Sequence, residues 1–370
     1  MKGCLWMKRV LVIAANNLGI GGIQSVIIEL KRELSDEIRF DYVVYDHLDS
    51  YYENECRSGG EIYTVLAKTS GFAKRMDFYL RGLRLYRGVY RIIKEHGPYD
   101  AVHCHNFFEA GIVLKASKKL HVPVRIAHCH SCVPIAKKKV AKRLYSHVYR
   151  KLILRNATAC LACSKLAGDY LFGKNAKYDV IPNPVDTARF SFRAEEALNP
   201  WSFIQVGRYG NLKNPVFSLK VFAEIRKTHP EAIFTLVGEG NRVDTEKVLN
   251  EIHKNGLEQS VKLEPANADI PSLLGMHNIF LFPSIVEGLG TALIEAQFVG
   301  LKCFASTNVP GEADLGYVDY LKLEDGPAAW AKTISDYIEK NGCRRYRADT
   351  AKFDARNVGS FYRKLYSGNV

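Results

Sequence analysis

Short apolar runs alternate with longer amphipathic segments along most of the chain, and this order is the feature that most restricts its fold. The apolar runs predict strands, and the amphipathic segments between them predict helices. Repeated strand–helix units build a mainly parallel sheet covered by helices on both faces. The pattern predicts strands at 9–14, 40–45, 62–66, 101–104, 124–128, 159–162 and 178–181, and again at 203–206, 233–237, 261–263, 279–282 and 302–305.

Two prolines bracket an asparagine in the segment from Ile181 to Asp186, where the first series of units ends. Such a segment stops regular structure and stiffens an extended connector. Because the strand–helix pattern then starts afresh, we predict an α/β protein with two Rossmann-like domains, at 1–185 and 186–352. Two parallel sheets of this kind would face a central cleft, which is a favoured place for a ligand.

Composition agrees with two globular domains, since 370 residues with 47% hydrophobic and 25% charged residues can fill two cores. The apolar runs around 10–15 and 279–286 are too short to span a bilayer. The nine cysteines are an odd number, and several lie in strand-like runs rather than in loops suited to disulfides. We therefore expect a cytoplasmic protein, soluble or peripheral to a membrane.

The net charge of +13 is confined to one half of the chain. Residues 1–190 hold 31 Lys and Arg against 17 Asp and Glu, whereas residues 191–370 hold 21 against 22. The positive charge peaks in a predicted helix from Ala136, whose apolar stripe of Val140, Leu144, Val148 and Leu152 we expect to pack on its own sheet. The rest of this helix is either a solvated face or a contact for an anionic membrane. The cations concerned are Lys137, Lys138, Lys139, Lys142 and Arg143.

A strand, a glycine-bearing turn and a helix follow one another between Ser284 and Gln297. The amides at the start of this helix, with its dipole, suit a diphosphate, and Glu295 one turn further in can accept hydrogen bonds from a ribose diol. Glu287 falls in the turn itself. A capped surface helix with two solvated glutamates is the alternative. The amides belong to Gly288, Leu289, Gly290 and Thr291.

The first strand of the second half is also followed by a turn that opens a helix, and this turn carries Gly207, Arg208 and Lys213. Two cations there can offset the charge that builds on a departing nucleoside diphosphate, which a metal ion does in other enzymes. Because no Asp-x-Asp pair follows an apolar strand, we expect neither a catalytic metal nor a cofactor. Two solvated basic residues are the alternative.

Near the N-terminus, a glycine loop from Asn16 to Gln24 joins the first strand to a helix and includes Gly21 and Gly22. Gln24 stands where a dinucleotide-binding loop carries its third glycine, which weakens a dehydrogenase interpretation. A plain tight turn remains open.

These segments together resemble the retaining GT-B glycosyltransferases of family 4, from Ile181-Pro182-Asn183 through Gly207-Arg208, Val237-Gly238-Glu239-Gly240 and Pro283-Ser284 to Glu295-Ala296. The resemblance implies that Glu295 binds the ribose, that Glu287 contacts the transferred sugar and that Arg208 and Lys213 hold the diphosphate. It implies a nucleotide-sugar donor, with UDP favoured, and a polysaccharide or lipid-linked acceptor at the inner membrane face. It also implies that a last helix, within 353–370, crosses back to the first domain, and that Gly21 and Gly22 approach the donor phosphates or the acceptor.

Two histidine pairs close two strands of the first half, His103 with His105 and His128 with His130. The resemblance implies that His130 lies near the sugar and the acceptor hydroxyl, and His105 would lie beside it. A core histidine whose hydrogen bonds are satisfied is the alternative for both. We expect His103 and His128 to be structural.

Three other interpretations stay open. Cys129-x-x-Cys132 and Cys160-x-x-Cys163 have the spacing of zinc ligands, although both pairs fall in or just after strands rather than in tight turns. A sugar-nucleotide epimerase on the same fold would turn over without an acceptor. A non-catalytic protein that binds nucleic acid or an anionic surface would explain the basic first half but not Glu287 and Glu295. We expect no nucleic-acid partner.

Overall fold

The computed structural model describes residues 7–14, 17–45, 50–65, 72–132, 140–192 and 199–369, with side chains described for all of these except 72–80 and 140–143. The chain divides into two compact units. The first comprises Met1–Pro184 together with Lys352–Val370, and the second comprises Val185–Ala351.

The first unit contains seven strands and seven helices among its described residues. The strands are β1 (Lys8–Ile13), β2 (Ile38–Val44), β3 (Ile62–Thr64), β4 (Ala101–Cys104), β5 (Val124–Cys129), β6 (Ala159–Ala162) and β7 (Asp179–Val180). The helices are α1 (Gly22–Leu34), α2 (Glu53–Arg57), α3 (Phe72–His96), α4 (Ala110–Lys119), α5 (Val140–Asn156), α6 (Lys165–Leu171) and, from the end of the chain, α12 (Ala355–Tyr366).

The described part of the second unit contains six strands and five helices. The strands are β8 (Ser202–Val206), β9 (Ile233–Val237), β10 (Val261–Glu264), β11 (Ile279–Phe282), β12 (Lys302–Ser306) and β13 (Val318–Leu321). The helices are α7 (Pro215–Arg226), α8 (Arg242–Lys254), α9 (Ile270–Gly275), α10 (Thr291–Val299) and α11 (Gly326–Asn341).

Each unit is built on one parallel sheet, which confirms the predicted fold class. The strand order is β3-β2-β1-β4-β5-β6-β7 in the first sheet and β10-β9-β8-β11-β12-β13 in the second. The order reverses between β1 and β4 and between β8 and β11. Loops leaving neighbouring strands at such a point turn to opposite faces and open a crevice at the carboxyl ends of the strands. The loops after β8 and β11 are the segments singled out by the sequence.

The central strands are buried on both faces, as parallel strands covered by helices should be. All four residues of β4 and of β11 are buried, and so are all five of β12. Aromatic side chains from neighbouring elements fill the second core, where Phe203, Phe222 and Phe234 pack together. These cores hold the strand ends, and hence the loops that follow them, in fixed positions.

The last helix, α12, packs within the first unit although it follows the second unit in sequence. Asp354 caps it by accepting a hydrogen bond from the amide of Arg356 at 2.9 Å. Its buried face, which includes Tyr362 and Leu365, joins the core formed by α1 and the first strands. Arg363 donates hydrogen bonds to the Glu33 carboxylate on α1 and to Glu37 just beyond it, both at 3.0 Å.

The buried face of α5 differs from the predicted apolar stripe. Leu144 and Val148 are 62% and 45% exposed, whereas Ile153 is fully buried. The cause lies on α4, where Gly111 has no side chain, so that the backbone of α5 approaches closely. A Cβ at Gly111 would lie 2.9 Å from the carbonyl oxygen of Tyr149. Leu152 of the predicted stripe does face α4, with its Cβ 2.8 Å from the same position, whereas Leu144 and Val148 face outward.

Two short elements were not predicted, namely α2 and the edge strand β13. Strand β13 has the sequence Val318 to Leu321 and is interrupted by Asp319, so it lacks a continuous apolar run. Its pairing with β12 supplies the hydrogen bonds that its composition does not signal. Within the described ranges, no helix combines the length and the apolar character needed to cross a membrane.

Replacing Leu365 with Ala tests the packing of α12. Leu365 is buried in the first core, whereas its neighbour Lys364 is exposed on the same helix. We expect Leu365→Ala to lower the free energy of unfolding by roughly 2–5 kcal/mol, because it removes buried methyl groups and leaves a cavity. The control Lys364→Ala should change it by less than about 0.5 kcal/mol. Urea unfolding followed by circular dichroism measures both; equal effects would show that α12 is not held by its apolar face.

Candidate active site

Two glycines bring the ends of β8 and β9 together in the second unit. Gly207 and Gly238 have φ angles of 155° and 146°, which residues with a Cβ rarely adopt. A Cβ at Gly238 would lie 2.1 Å from the carbonyl oxygen of Gly207. The amide of Gly207 also donates a hydrogen bond to Val237 at 2.9 Å. This close approach fixes where the loop carrying Arg208 and Lys213 leaves the sheet.

The loop after β8 is held by one hydrogen bond to its own strand and by two to the loop after β11. Gln205 donates from its side-chain amide to the carbonyl of Lys213 at 2.8 Å, which holds the first loop back on its own strand. The side-chain amide of Asn214 donates to the carbonyl of Pro283 at 3.2 Å, and the amide of Ile285 donates to the carbonyl of Leu212 at 2.8 Å. The two loops at the switch point of the sheet therefore form one connected surface.

An ion pair completes this connection. Lys213 Nζ lies 2.6 Å from Glu287 Oε1, and the two side chains are 29% and 10% exposed. The ammonium also lies 4.9 Å from the centre of the Phe282 ring, within the range of a cation–π contact. The partly buried position strengthens the attraction relative to a surface pair. The structure thus brings Lys213 and Glu287 together, and it places Arg208 on the same loop with an exposed side chain.

Helix α10 begins directly after this surface. Gly290 has a φ of 98° and precedes Thr291, the first residue of the helix. The amides of Leu293 and Ile294 donate back to the carbonyl of Gly290 at 3.0 and 3.3 Å. The positive end of the helix dipole therefore lies beside Glu287, and it favours negative charge there. Glu295 lies one turn further along and is half-buried. Gly288 and Leu289 are buried in the turn before the helix.

The remaining predicted residues belong to the first unit. Gly21 precedes α1 in an extended conformation, and Gly22 is the first residue of the helix, with nothing within 4 Å of where its Cβ would be. The side chain of Gln24 donates to the carbonyl of Asn17 at 3.0 Å and closes the loop. Asn16 lies outside the described residues, as do Lys137, Lys138 and Lys139. The side chains of Lys142 and Arg143 are likewise not described.

His105 and His130 lie side by side at the carboxyl ends of β4 and β5. His105 Nδ1 lies 2.7 Å from His130 Nε2, and the rings stack with their centres 4.9 Å apart. Burial lowers the pKa of His105 well below its usual value, and neighbouring histidines add to this effect. Burial also lowers the pKa of His130 to about 4, against a hydrogen bond with Asn183 that raises it. Both rings are therefore uncharged near pH 7.

His103 and His128 lie one step deeper on the same face of the sheet. His103 Nδ1 lies 2.7 Å from the hydroxyl of Tyr366, and His103 Nε2 lies 3.2 Å from His128 Nδ1. The hydroxyl of Tyr362 lies 3.3 Å from the same nitrogen of His128. Both tyrosines come from α12, and their contacts with the histidines were not predicted from the sequence. The signal available was their spacing of four residues, which puts two aromatic rings on one helix face.

The cysteine pairs do not gather into a metal site. Among the described residues, the one group of candidate metal ligands consists of His103, His105 and His128. Cys129 ends β5 and Cys163 directly follows β6, and the amide of Cys163 donates to the carbonyl of Cys129 at 3.0 Å. The Sγ atom of Cys129 instead faces the carbonyl of Ser131 at 3.2 Å.

Comparison with known proteins places this arrangement in a family. The sequence model described as Glycosyltransferase Family 4 matches residues 20–189, and that described as Glycosyl transferases group 1 matches residues 186–352. The Bacillus subtilis (strain 168) protein named "Putative glycosyltransferase EpsF" is 30% identical over 346 residues, which cover 89% of this chain and 87% of that protein. This chain belongs to the group 1 glycosyltransferases. It is therefore an enzyme that transfers sugars, and the non-catalytic alternative is wrong.

Two further comparisons bear on the fold and on related activities. The glycosyltransferase is 26% identical, over 63% of each chain, to an Escherichia coli protein named UDP-Gal:alpha-D-GlcNAc-diphosphoundecaprenol alpha-1,3-galactosyltransferase. Its fold matches the crystal structure of Anabaena Alr3699/HepE in complex with UDP and glucose, with a TM-score of 0.76. That match covers 98% of this chain and 99% of the other at 17% identity, and it confirms the GT-B architecture of two Rossmann-like domains. These matches also disfavour the epimerase alternative.

Replacing Gly238 with Ala tests the close approach that positions the loop of Arg208 and Lys213. Gly316 is a matched control, because it has a φ of 96° but nothing within 4 Å of its Cβ position. We expect Gly316→Ala to cost about 1–2 kcal/mol of stability through its backbone conformation alone. Gly238→Ala should cost more, because its Cβ also overlaps the Gly207 carbonyl. Unfolding midpoints measure the difference, and equal losses would contradict the proposed constraint.

Proposed function

We propose that this glycosyltransferase moves a sugar from a UDP-sugar to a polysaccharide or lipid-linked acceptor, with retention of the anomeric configuration. The observation that carries the proposal is the Lys213–Glu287 ion pair beside the N-terminus of α10. It sets a cation, a carboxylate and a helix dipole at the switch point of the second sheet, where ligands of such sheets bind. The UDP bound to HepE, and the UDP-Gal in the name of the Escherichia coli relative, support the choice of nucleotide.

In this proposal the diphosphate occupies the N-terminus of α10. The helix dipole and the amides of Gly288, Leu289, Gly290 and Thr291 favour the anion, and Glu295 accepts hydrogen bonds from the ribose. Lys213 leaves Glu287 to meet the diphosphate, and Glu287 then accepts hydrogen bonds from the hydroxyls of the transferred sugar. The ion pair thus keeps both groups in place until a donor arrives, at little cost in rearrangement.

The chemical step requires stabilisation of the departing UDP. Arg208 and Lys213 offset the negative charge that builds on its phosphate oxygens, which gives the positive charge that a metal ion supplies elsewhere. The acceptor hydroxyl attacks from the face on which the diphosphate leaves, and its proton passes to a phosphate oxygen of the donor. Under this scheme the bond from the anomeric carbon to the phosphate oxygen breaks as the new glycosidic bond forms, and no enzyme nucleophile is needed.

In this proposal the first unit binds the acceptor. His130, with His105 2.7 Å behind it, is assigned a place near the sugar and the acceptor hydroxyl. Gly21 and Gly22 are assigned to the same side, and nothing lies within 4 Å of where a Cβ of Gly22 would be. Because both histidines are uncharged near pH 7, they act as hydrogen-bond partners rather than as cations. We do not assign His130 the role of a general base.

Variants of the two cations test the donor site. We expect Arg208→Ala and Lys213→Ala each to lower kcat by roughly 10²–10³-fold, because each removes charge stabilisation from the leaving group. Lys220→Ala, an exposed cation on α7, should leave kcat unchanged. Donor hydrolysis and transfer, screened first across UDP-, GDP- and ADP-sugars, provide the assay. Arg208 is exposed, so its variant should keep the wild-type unfolding midpoint. Wild-type turnover in both variants would reject the assignment.

We also propose that α5 contacts an anionic membrane, which the lipid-linked acceptor in the name of the Escherichia coli relative supports. The exposed side of α5 combines the apolar Leu144 and Val148 with the cationic Lys151 and Arg155, at spacings of three and four residues along one face. Such a face can insert apolar side chains at the interface while its cations meet lipid phosphates.

Vesicle binding tests the α5 face. We expect the double variant Lys151→Ala/Arg155→Ala to bind phosphatidylglycerol vesicles about 30-fold more weakly, since each near-surface cation contributes about 1 kcal/mol. Lys220→Ala/Lys254→Ala removes the same charge from exposed positions of the second unit and should bind like the wild type. Co-sedimentation measures both. Equal weakening in the two double variants, or equal binding to phosphatidylcholine vesicles, would contradict a specific membrane face.

A further inference from the structure

The first unit contains a buried group of three imidazoles, of which the proposed transfer uses only His105, as the hydrogen-bond partner of His130. His103, His105 and His128 are 0%, 3% and 1% exposed, and their rings lie on one face of the sheet at the ends of β4 and β5. One ring nitrogen from each lies within 4.8 Å of the nitrogens from the other two. Three uncharged imidazoles that converge in this way form the donor set that zinc and related transition metals prefer.

The distances between the ring nitrogens suit an ion with tetrahedral coordination. Zinc–nitrogen bonds of ~2.0–2.1 Å place two ligand nitrogens about 3.3 Å apart along the edge of a tetrahedron. His103 Nε2 lies 3.2 Å from His128 Nδ1, so the two rings already approach each other to about this length. One ring nitrogen from each of the three histidines lies within 4.8 Å of the other two, so binding would shorten the longest edge between these nitrogens by at most roughly 1.5 Å.

The surrounding groups occupy the positions that support metal-bound histidines. A histidine that binds a metal through one ring nitrogen usually donates its other N–H to an oxygen or nitrogen nearby. His103 has Tyr366 Oη at 2.7 Å from its Nδ1, which leaves Nε2 to bind. His105 has His130 Nε2 at 2.7 Å from its Nδ1, which leaves its own Nε2 to bind. Both rings are held in orientation by partners outside the triad.

Hydrogen bonds from the described protein groups leave one nitrogen of this cluster without a partner. Among the described residues, Nε2 of His128 is buried and has no hydrogen-bond partner, although the ring is in contact with two other histidines. Leaving such a group unpaired costs on the order of 1–3 kcal/mol. When His128 binds the ion through this nitrogen, Nδ1 of the same ring keeps the hydroxyl of Tyr362 at 3.3 Å as its partner, and the ion fixes which nitrogen of each ring carries a proton.

We propose that His103, His105 and His128 bind a divalent transition metal ion, with zinc as the expected ion. The site is structural: it lies at the ends of β4 and β5 and is joined to α12 through Tyr366 and Tyr362. A bound ion would therefore connect the last helix of the chain to the first sheet. The proposal is independent of the donor site, which lies in the second unit, and no step of sugar transfer passes through the metal.

Metal binding to the purified, tag-free and chelator-treated protein tests the site, with no sugar nucleotide present. We expect one equivalent of Zn²⁺ per chain by equilibrium dialysis, a rise in the unfolding midpoint on adding Zn²⁺, and a visible Co²⁺ spectrum typical of tetrahedral nitrogen ligands. A strong near-ultraviolet thiolate band with Co²⁺ would assign the metal to cysteines and overturn the proposal. So would less than one equivalent of bound Zn²⁺ in the presence of excess metal.

Variants test whether these three histidines, rather than other histidines of the chain, bind the metal. His105→Gln and His128→Gln should each weaken Zn²⁺ binding by about 100-fold or more, and Tyr366→Phe should weaken it by ~10–100-fold through the lost partner of His103. His253→Gln changes a histidine with an 88% exposed side chain and should bind like the wild type. Tyr366→Phe keeps the buried ring, so it tests the site even where the histidine variants fail to fold. Unchanged binding in Tyr366→Phe and in a folded histidine variant would reject the proposal.

Discussion

The Lys213–Glu287 ion pair is the interaction that holds together the two loops of the proposed donor site. It joins the loops after β8 and β11, the two loops that leave the sheet where its strand order reverses. Gly207 and Gly238 permit the backbone approach that sets the first loop in place, and Gly290 starts α10 beside the second. The glycines and the packed strands beneath them thus hold opposite charges close together at the positive end of a helix, a constellation suited to a diphosphate and a sugar.

The first unit uses the same sheet geometry for a different purpose. Its strand ends carry uncharged imidazoles instead of an ion pair, because the deep burial of His103, His105 and His128 lowers their pKa values and disfavours the second proton that would charge them. Neutral rings can stack and share hydrogen bonds where cations would repel one another. The contrast between the units is therefore one of solvation: the partly open ends of β8 and β11 tolerate charge, whereas the covered ends of β4 and β5 do not.

Much of the fold could be predicted from the sequence, because parallel strands that are buried on both faces appear as apolar runs whatever surrounds them. All twelve predicted strands are present, whereas the interrupted run of β13 was missed. The prediction that Leu144 and Val148 face inward was wrong, because the packing of α5 depends on Gly111 of another helix. The apolar periodicity of α5 does not record that contact. For the same reason, the sequence identified Lys213 and Glu287 separately but did not predict that they pair. It also identified the four histidines but not Tyr362 and Tyr366, which contact them from more than 200 residues away along the chain.

Helix α12 has a consequence for how the chain folds during synthesis. The first unit is made of residues up to Pro184 and residues from Lys352, so a ribosome translates all of the second unit before it reaches the helix that completes the first core. Until then, the apolar surface of α1 and β2 that Leu365 and Tyr366 cover stays exposed to water. The second unit, which is continuous in sequence, can form its core first. The core of the amino-terminal sheet can therefore be completed only after the second unit has been translated.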